Sequence, residues 1–182
     1  MARDLGSDVP FFLLGGRAAG IGRGAEIYPL PDFARGSAVL VTPGIHVSTA
    51  AAYGALNRGQ LTTESSQNKI DSFQADVWGA SWAGAANDFE DVVFRQHPSL
   101  RALKQRLIKL GANPAMMSGS GSSVFGIFGE QAQAIRAIKS FRKETVFPIT
   151  LVSRSRYRSL WLRWLAAHRI QSEWPPQSRY AR

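Results

Sequence analysis

The stretch Ser118-Gly119-Ser120-Gly121-Ser122-Ser123 lies between Pro114-Ala115-Met116-Met117 and Val124-Phe125-Gly126-Ile127-Phe128, two short segments of strand composition. No other part of the chain narrows the possible folds so far. β-Branched and aromatic residues fit a pleated, half-buried surface, so the small-residue loop is expected to join or interrupt paired strands. Gly119 and Gly121 can take positive φ with no Cβ penalty, which lets successive backbone N–H groups converge on a phosphate-like oxygen while the serines add hydroxyl donors. On composition alone, a hairpin turn or a glycine placed for close packing explains the loop at least as well.

With 182 residues, the chain is long enough for one domain with a sizeable core, or for one domain and part of another. No apolar run approaches the roughly 18 residues of a membrane span, and Phe11-Phe12-Leu13-Leu14 is too short for the core of a signal peptide. Cysteine is absent. That excludes disulfides, thiolate metal sites and a thiol nucleophile, and fits a cytoplasmic protein. His46, His97 and His168 are far apart and lack metal-ligand spacing, so no metal site is assigned to the protein's own residues.

Charge is concentrated at the C-terminal end. Residues 1–141 carry a balance of +2, whereas residues 142–182 carry +7 of the total +9. Within that tail, Ser153-Arg154-Ser155-Arg156-Tyr157-Arg158-Ser159-Leu160-Trp161-Leu162-Arg163-Trp164 interleaves cations with aromatic rings. Such a pattern can bind a nucleic-acid backbone or an anionic membrane surface. The favoured expectation is plainer: a helix with Leu160, Trp161, Trp164 and Leu165 packed on the domain and its arginines in water. Glu173-Trp174-Pro175-Pro176 ends any helix, and the last residues are expected to be disordered.

Local signals order the rest. Ser7-Asp8-Val9-Pro10 combines capping side chains with a first-turn proline, predicting a helix over 9–14 closed by Gly15-Gly16. Asp8 then stands at a helix N-terminus, where unpaired N–H groups attract negative charge. Gly20 to Leu30 reads as a glycine-softened strand pair or one strand running into a turn, and its G-x-G-x-G string lacks the context of a dinucleotide fingerprint. Ser37–Val41 is the next strand, with Ser48-Thr49 capping a helix through Ala50–Leu56. Residues 58–69 are polar and predicted to be a mobile loop. Helices separated near Asn87 follow over 71–96, with Trp78 and Trp82 expected in the core rather than on a ligand. Ser99 is predicted to cap a helix to Leu110 with a stripe of Leu100, Leu103, Leu107 and Leu110 stopped by Gly111. Glu130–Phe141 is an amphipathic helix and Phe147–Val152 a last strand. This order predicts an α+β fold, a split βαβ sandwich with helices on one face of an antiparallel sheet.

Five stretches then occur in sequence over residues 6–126. They are Gly6-Ser7-Asp8-Val9-Pro10-Phe11-Phe12, Gly20-Ile21-Gly22-Arg23-Gly24, Pro43-Gly44-Ile45-His46-Val47-Ser48-Thr49, Asn87-Asp88-Phe89-Glu90, and Ser118-Gly119-Ser120-Gly121-Ser122-Ser123-Val124-Phe125-Gly126. Together they resemble the C-terminal part of GHMP-superfamily kinases, and five motifs in order are far more specific than any one of them. The likeness weakens after Phe141 and assigns the basic tail no role.

The resemblance implies a ferredoxin-like GHMP kinase C-terminal domain over 32–153, preceded by a trailing segment of the N-terminal kinase domain (1–31) and followed by a basic helix and tail (154–182). It implies ATP-dependent phosphorylation of an alcohol with Mg2+ as the accompanying ion. The branch it resembles most acts on the 2-hydroxyl of a CDP-linked methylerythritol in non-mevalonate isoprenoid synthesis; a homoserine or mevalonate type of kinase is the alternative. Asp8 matches the aspartate that serves such kinases as catalytic base. Gly119, Ser120, Gly121 and Ser122 match the loop at the phosphate end of the cleft, and Ser7 and Thr49 fall where substrate contacts are expected. The family's lysine, cytidine-recognition residues and principal phosphate loop have no counterpart before Asp8. The chain is therefore expected to be a C-terminal portion, inactive alone, whose residues 9–30 lack burial partners and whose first partner is the missing kinase half. A third reading, from another class, is a non-catalytic module that holds an anionic partner such as nucleic acid on its basic tail.

Overall fold

The structure is a computed structural model and describes residues 2–6, 8–21, 26–33, 36–57, 82 and 85–169. Ser7, the polar stretch 58–69, Trp78, the helices expected within 71–81 and the residues beyond Arg169 lie outside the described residues. The chain divides into two compact units, one comprising Met1–Asp32 and Val152–Arg182, the other Phe33–Leu151. In chain order the elements are α1 (Ala2–Leu5), α2 (Val9–Leu14), β1 (Ala18–Ile21), β2 (Glu26–Pro29), β3 (Ser37–Thr42), α3 (Thr49–Asn57), α4 (Phe89–Gln96), α5 (Pro98–Lys109), β4 (Ala115–Met117), β5 (Val124–Phe128), α6 (Gln131–Ser140), β6 (Thr145–Thr150) and α7 (Arg154–Arg169).

The 33–151 unit is built on a four-stranded antiparallel sheet of order β4-β5-β3-β6. β3 leads through α3, α4 and α5 to the edge strand β4, the hairpin returns as β5, and α6 crosses to β6 on the far edge. This is the ferredoxin-like split βαβ topology expected from the order of elements. Register explains why β6 begins earlier than its composition suggests: Thr42 pairs with Thr145 and Ser37 with Thr150, so β6 matches the whole length of β3.

One sheet face carries Val39, Val41, Val124, Phe128 and Ala115, and against it pack Leu103 and Leu107 of α5, and Ala134 and Ala137 of α6, with Phe141 just beyond. These positions alternate along the strands and recur at helical spacing along the helices, which is what lets two periodicities share one core. Gly126 lies where α5 ends against β5. A Cβ there would come within 2.8 Å of the Ala112 methyl, so only glycine permits this approach. A second cluster joins Ala52, Val92, Val93, Phe94, Leu100 and Met117, tying α3 and α4 to the end of β4. Trp82 stacks on Phe33 at 4.0 Å and lies 6.4 Å from the Phe125 ring.

Two capping expectations are corrected. His97, not Ser99, takes the N-cap position of α5, because Pro98 supplies the first helical residue with φ already set and places Ser99 inside the first turn. Asp8 precedes α2 in a helical conformation (φ −88°, ψ −14°) and makes no side-chain capping bond. A side chain that caps usually projects from extended backbone, which Asp8 does not have.

The other unit is thin. β1 and β2 form an antiparallel pair, no residue of α2 is buried, and Phe12 and Leu13 are 59% and 50% exposed. The expectation that α7 packs through its aromatic side chains is not met: Leu160, Trp161 and Trp164 are 42%, 38% and 55% exposed. What holds the helix is polar and sits at its first turn. The Arg154 guanidinium donates to the carbonyl oxygens of Gly15 (3.2 Å), Leu30 (3.2 Å) and Arg17. Asp32 accepts from the backbone N–H of Arg154 at 2.8 Å and of Arg17 at 3.0 Å. Burial pushes the Asp32 carboxyl up, but those two N–H groups and the Arg154 charge outweigh it and leave it below its ordinary value. Tyr157 donates to the Phe12 carbonyl at 2.6 Å. Its ring covers Gly15, where a Cβ would come within 2.1 Å of it.

Candidate functional site

The loop between β4 and β5 has the backbone its glycines imply, with φ +55° at Gly119 and +93° at Gly121. The Ser118 N–H donates to the Ser123 carbonyl at 2.9 Å and the Gly121 N–H to the Ser118 carbonyl at 3.0 Å, which closes the loop on itself. A Cβ on Gly121 would meet the Met117 sulfur at 2.7 Å, whereas one on Gly119 would stand in open space. Among the described residues, no acceptor meets the N–H groups of Gly119, Ser120 or Ser122. Those three N–H groups have no protein acceptor among the described residues and are open to a ligand or to water.

Three positions outside the loop, Thr49, Ile45 and Thr42, bond to its serines. Thr49, at the start of α3, lies 2.9 Å from the Ser120 hydroxyl through its own. Ser122 donates to the Ile45 carbonyl, in the segment that leads from β3 to α3. Thr42, ending β3, lies 3.3 Å from the Ser123 hydroxyl, oxygen to oxygen. Thr49 and Ser120, predicted separately as substrate-contacting and phosphate-contacting, are thus neighbours. Sequence reasoning gave no role to a fourth partner, Asn87. Asn87 donates through its amide nitrogen to the carbonyls of both Met117 and Gly119, each at 2.8 Å, and accepts from the Phe89 N–H at 3.0 Å. Three residues on, Glu90 accepts the Met117 N–H at 2.8 Å and pairs with Lys104 of α5. The sequence signal for this was the i, i+3 spacing of two polar residues at a helix start, which sets both on one side of the first turn.

Asp8 belongs to the other unit. It is exposed, and its backbone carbonyl accepts the Phe11 N–H at 3.2 Å. Ser7 lies outside the described residues. No group of three or more potential metal ligands occurs among the described residues, and no described helix is long and apolar enough to cross a membrane.

Comparison with known proteins agrees with this architecture. Residues 78–145 match the family described as GHMP kinases C terminal. The chain is 55% identical over 184 residues to a 4-diphosphocytidyl-2-C-methyl-D-erythritol kinase of Solibacter usitatus, covering 99% of this chain and 58% of that protein. Among solved structures, it is similar to a 4-(cytidine 5'-diphospho)-2C-methyl-D-erythritol kinase, with a TM-score of 0.61 and 32% identity over 81% of this chain and 54% of the other. It shares the fold alone with homoserine kinase from Cytophaga hutchinsonii, at 19% identity and a TM-score of 0.53. The unit built on β3 to β6 thus carries a GHMP kinase C-terminal domain. It spans about half the length of the curated relatives it matches.

Proposed function

We propose that this chain contributes to an ATP-dependent kinase that phosphorylates the 2-hydroxyl of 4-diphosphocytidyl-2-C-methyl-D-erythritol, a step of non-mevalonate isoprenoid precursor synthesis in the cytoplasm. The observation that carries this reading is the 55% identity to the Solibacter usitatus relative of that name across 99% of the chain. The unpaired N–H groups of Gly119, Ser120 and Ser122 support a phosphate-binding role for Gly119–Ser122, and the position of Thr49 beside Ser120 supports a substrate contact there. Ser7 is proposed as a second substrate contact on its motif alone.

Phosphoryl transfer depends on an oriented nucleophile and on dispersal of charge over the transferred group. In this reading Asp8 accepts the proton of the attacking hydroxyl, whose oxygen bonds to the γ-phosphorus while the bond to ADP breaks. The loop donors offset charge at the phosphate end. Mg2+ would accompany ATP and offset the charge of its phosphates; no described residue is assigned to hold it. Residues 1–31, 32–153 and 154–182 are proposed as a segment of the N-terminal kinase domain, the C-terminal domain and a basic tail.

The test joins this chain to the part of the Solibacter usitatus relative that it does not match, and supplies ATP, Mg2+ and one of three alcohols. Turnover of the cytidine-linked alcohol, with homoserine and mevalonate inert, is the expected result; preference for either of the others would refute the substrate assignment. The 182 residues alone are expected to turn over none of the three, because positioning, base and charge-stabilising donors must act together.

A further inference from the structure

We infer that Asn87 is a positioning residue for phosphate recognition, acting by gripping the glycine loop from behind. The inference rests on the phosphate-loop reading given above. Its basis is the geometry of one peptide unit. The Gly119–Ser120 bond is trans, so the Gly119 carbonyl and the Ser120 N–H, which share that plane, point in opposite directions. Asn87 holds the Gly119 carbonyl at 2.8 Å. The Ser120 N–H is thereby aimed away from Asn87, and it is one of the donors that meet no acceptor among the described residues. The second amide hydrogen holds the Met117 carbonyl, also at 2.8 Å, at the point where β4 ends. A single carboxamide therefore sets both the exit of the strand and the orientation of a loop donor.

Asn87 is itself over-determined. Its oxygen accepts the Phe89 N–H, and one turn later Glu90 accepts the Met117 N–H and is held by Lys104. Thus the N–H and the carbonyl of Met117 are both bound by the segment that opens α4, and β4 cannot slide against that helix without breaking both bonds. A hydrogen-bonded side chain fixed at three points loses little freedom when the loop takes up a ligand, which is the physical meaning of preorganisation. Asparagine suits the position because it offers two donors and one acceptor at one short reach, a set that neither serine nor aspartate supplies.

The test uses isotope-labelled 182-residue chain titrated with inorganic triphosphate, read at the loop amides by NMR. Wild type should show saturable shifts at Gly119, Ser120 and Ser122. Asn87→Ser and Asn87→Asp both keep an oxygen for the Phe89 N–H and so preserve the turn, but neither can donate to both carbonyls. Each should weaken triphosphate binding about tenfold, the worth of one well-aimed hydrogen bond, while the β3 and β5 amides stay native. Should the serine variant fail to fold, the aspartate variant answers, with exposed Gln96→Glu as the control for an added charge: loss beyond the control's that persists at high salt supports the grip, and loss abolished by salt overturns it. Variants that respond like wild type would overturn the positioning role while leaving the phosphate loop intact. Shifts confined to the arginine-rich α7 in wild type would overturn both.

Discussion

The two units of this chain are held together by opposite means. In the 33–151 unit, two apolar clusters bury side chains from β3, β4, β5 and the four helices α3 to α6, and Leu100, Leu107, Val124 and Phe128 are wholly enclosed. In the other unit, the large apolar side chains Phe12, Leu13, Tyr28, Trp161 and Trp164 are exposed, and order comes from Arg154, Asp32 and Tyr157 bonded to backbone groups. Burial is non-directional and scales with area, so a unit that relies on it tolerates local change in its surface. A unit that relies on a few directed bonds loses a larger share of its order with each one removed.

The comparison breaks most clearly under truncation of the core. Phe128→Ala should destabilise the 33–151 unit by about 3–5 kcal/mol, while Trp161→Ala, at an exposed position, should change stability by no more than about 0.5 kcal/mol. Denaturant unfolding of both variants checks this, and similar losses would mean that α7 is packed after all. Asp8→Asn in the joined, active kinase should lower kcat by about 10²-fold or more with KM and unfolding midpoint unchanged. An unaltered kcat removes Asp8 from the chemistry.

Within the packed unit, the loop can be graded. Gly121→Val faces both a positive φ and the Met117 sulfur, Gly119→Val faces the positive φ alone, and Gly129→Val meets neither. Nucleotide KM in the joined kinase should worsen in that order, with Gly129→Val near wild type. Equal effects at all three positions would return the loop to a simple hairpin.

In the thin unit, Arg154→Ala should cost about 1.5–3 kcal/mol of local stability, the range for hydrogen bonds to a charged group. The readout is faster hydrogen exchange in α7 and in β1–β2, with the 33–151 unit unaffected; acceleration in both units would show that they unfold together. The smallest effect concerns pH. Because the folded Asp32 carboxyl lies below its ordinary value, its contribution is present above the unfolded value of about 4 and is lost as pH falls through the folded one. Exchange in α7 should therefore accelerate below about pH 4, and Asp32→Asn should abolish that dependence.

Much of this was legible without coordinates. The leucine stripe of α5, the alternation in β3 and β5, the turn at Gly15 and the two positive-φ glycines of the loop are all local patterns, written in spacings of two or of three to four residues or in single residue types. They sufficed for the order of elements and hence for the antiparallel split βαβ sheet. The tertiary structure alone decided which partners meet: Asn87 and Glu90 bind a strand end 27 to 32 residues away, and Arg154 binds carbonyls 124 to 139 residues away. It also decided that the tail helix is anchored by its first arginine and tyrosine and leaves its tryptophans in the open. The physical reason is that backbone carbonyls carry no residue identity. A side chain that bonds to them leaves no complementary residue in the sequence to be matched, so its role emerges only when the chain has closed around it.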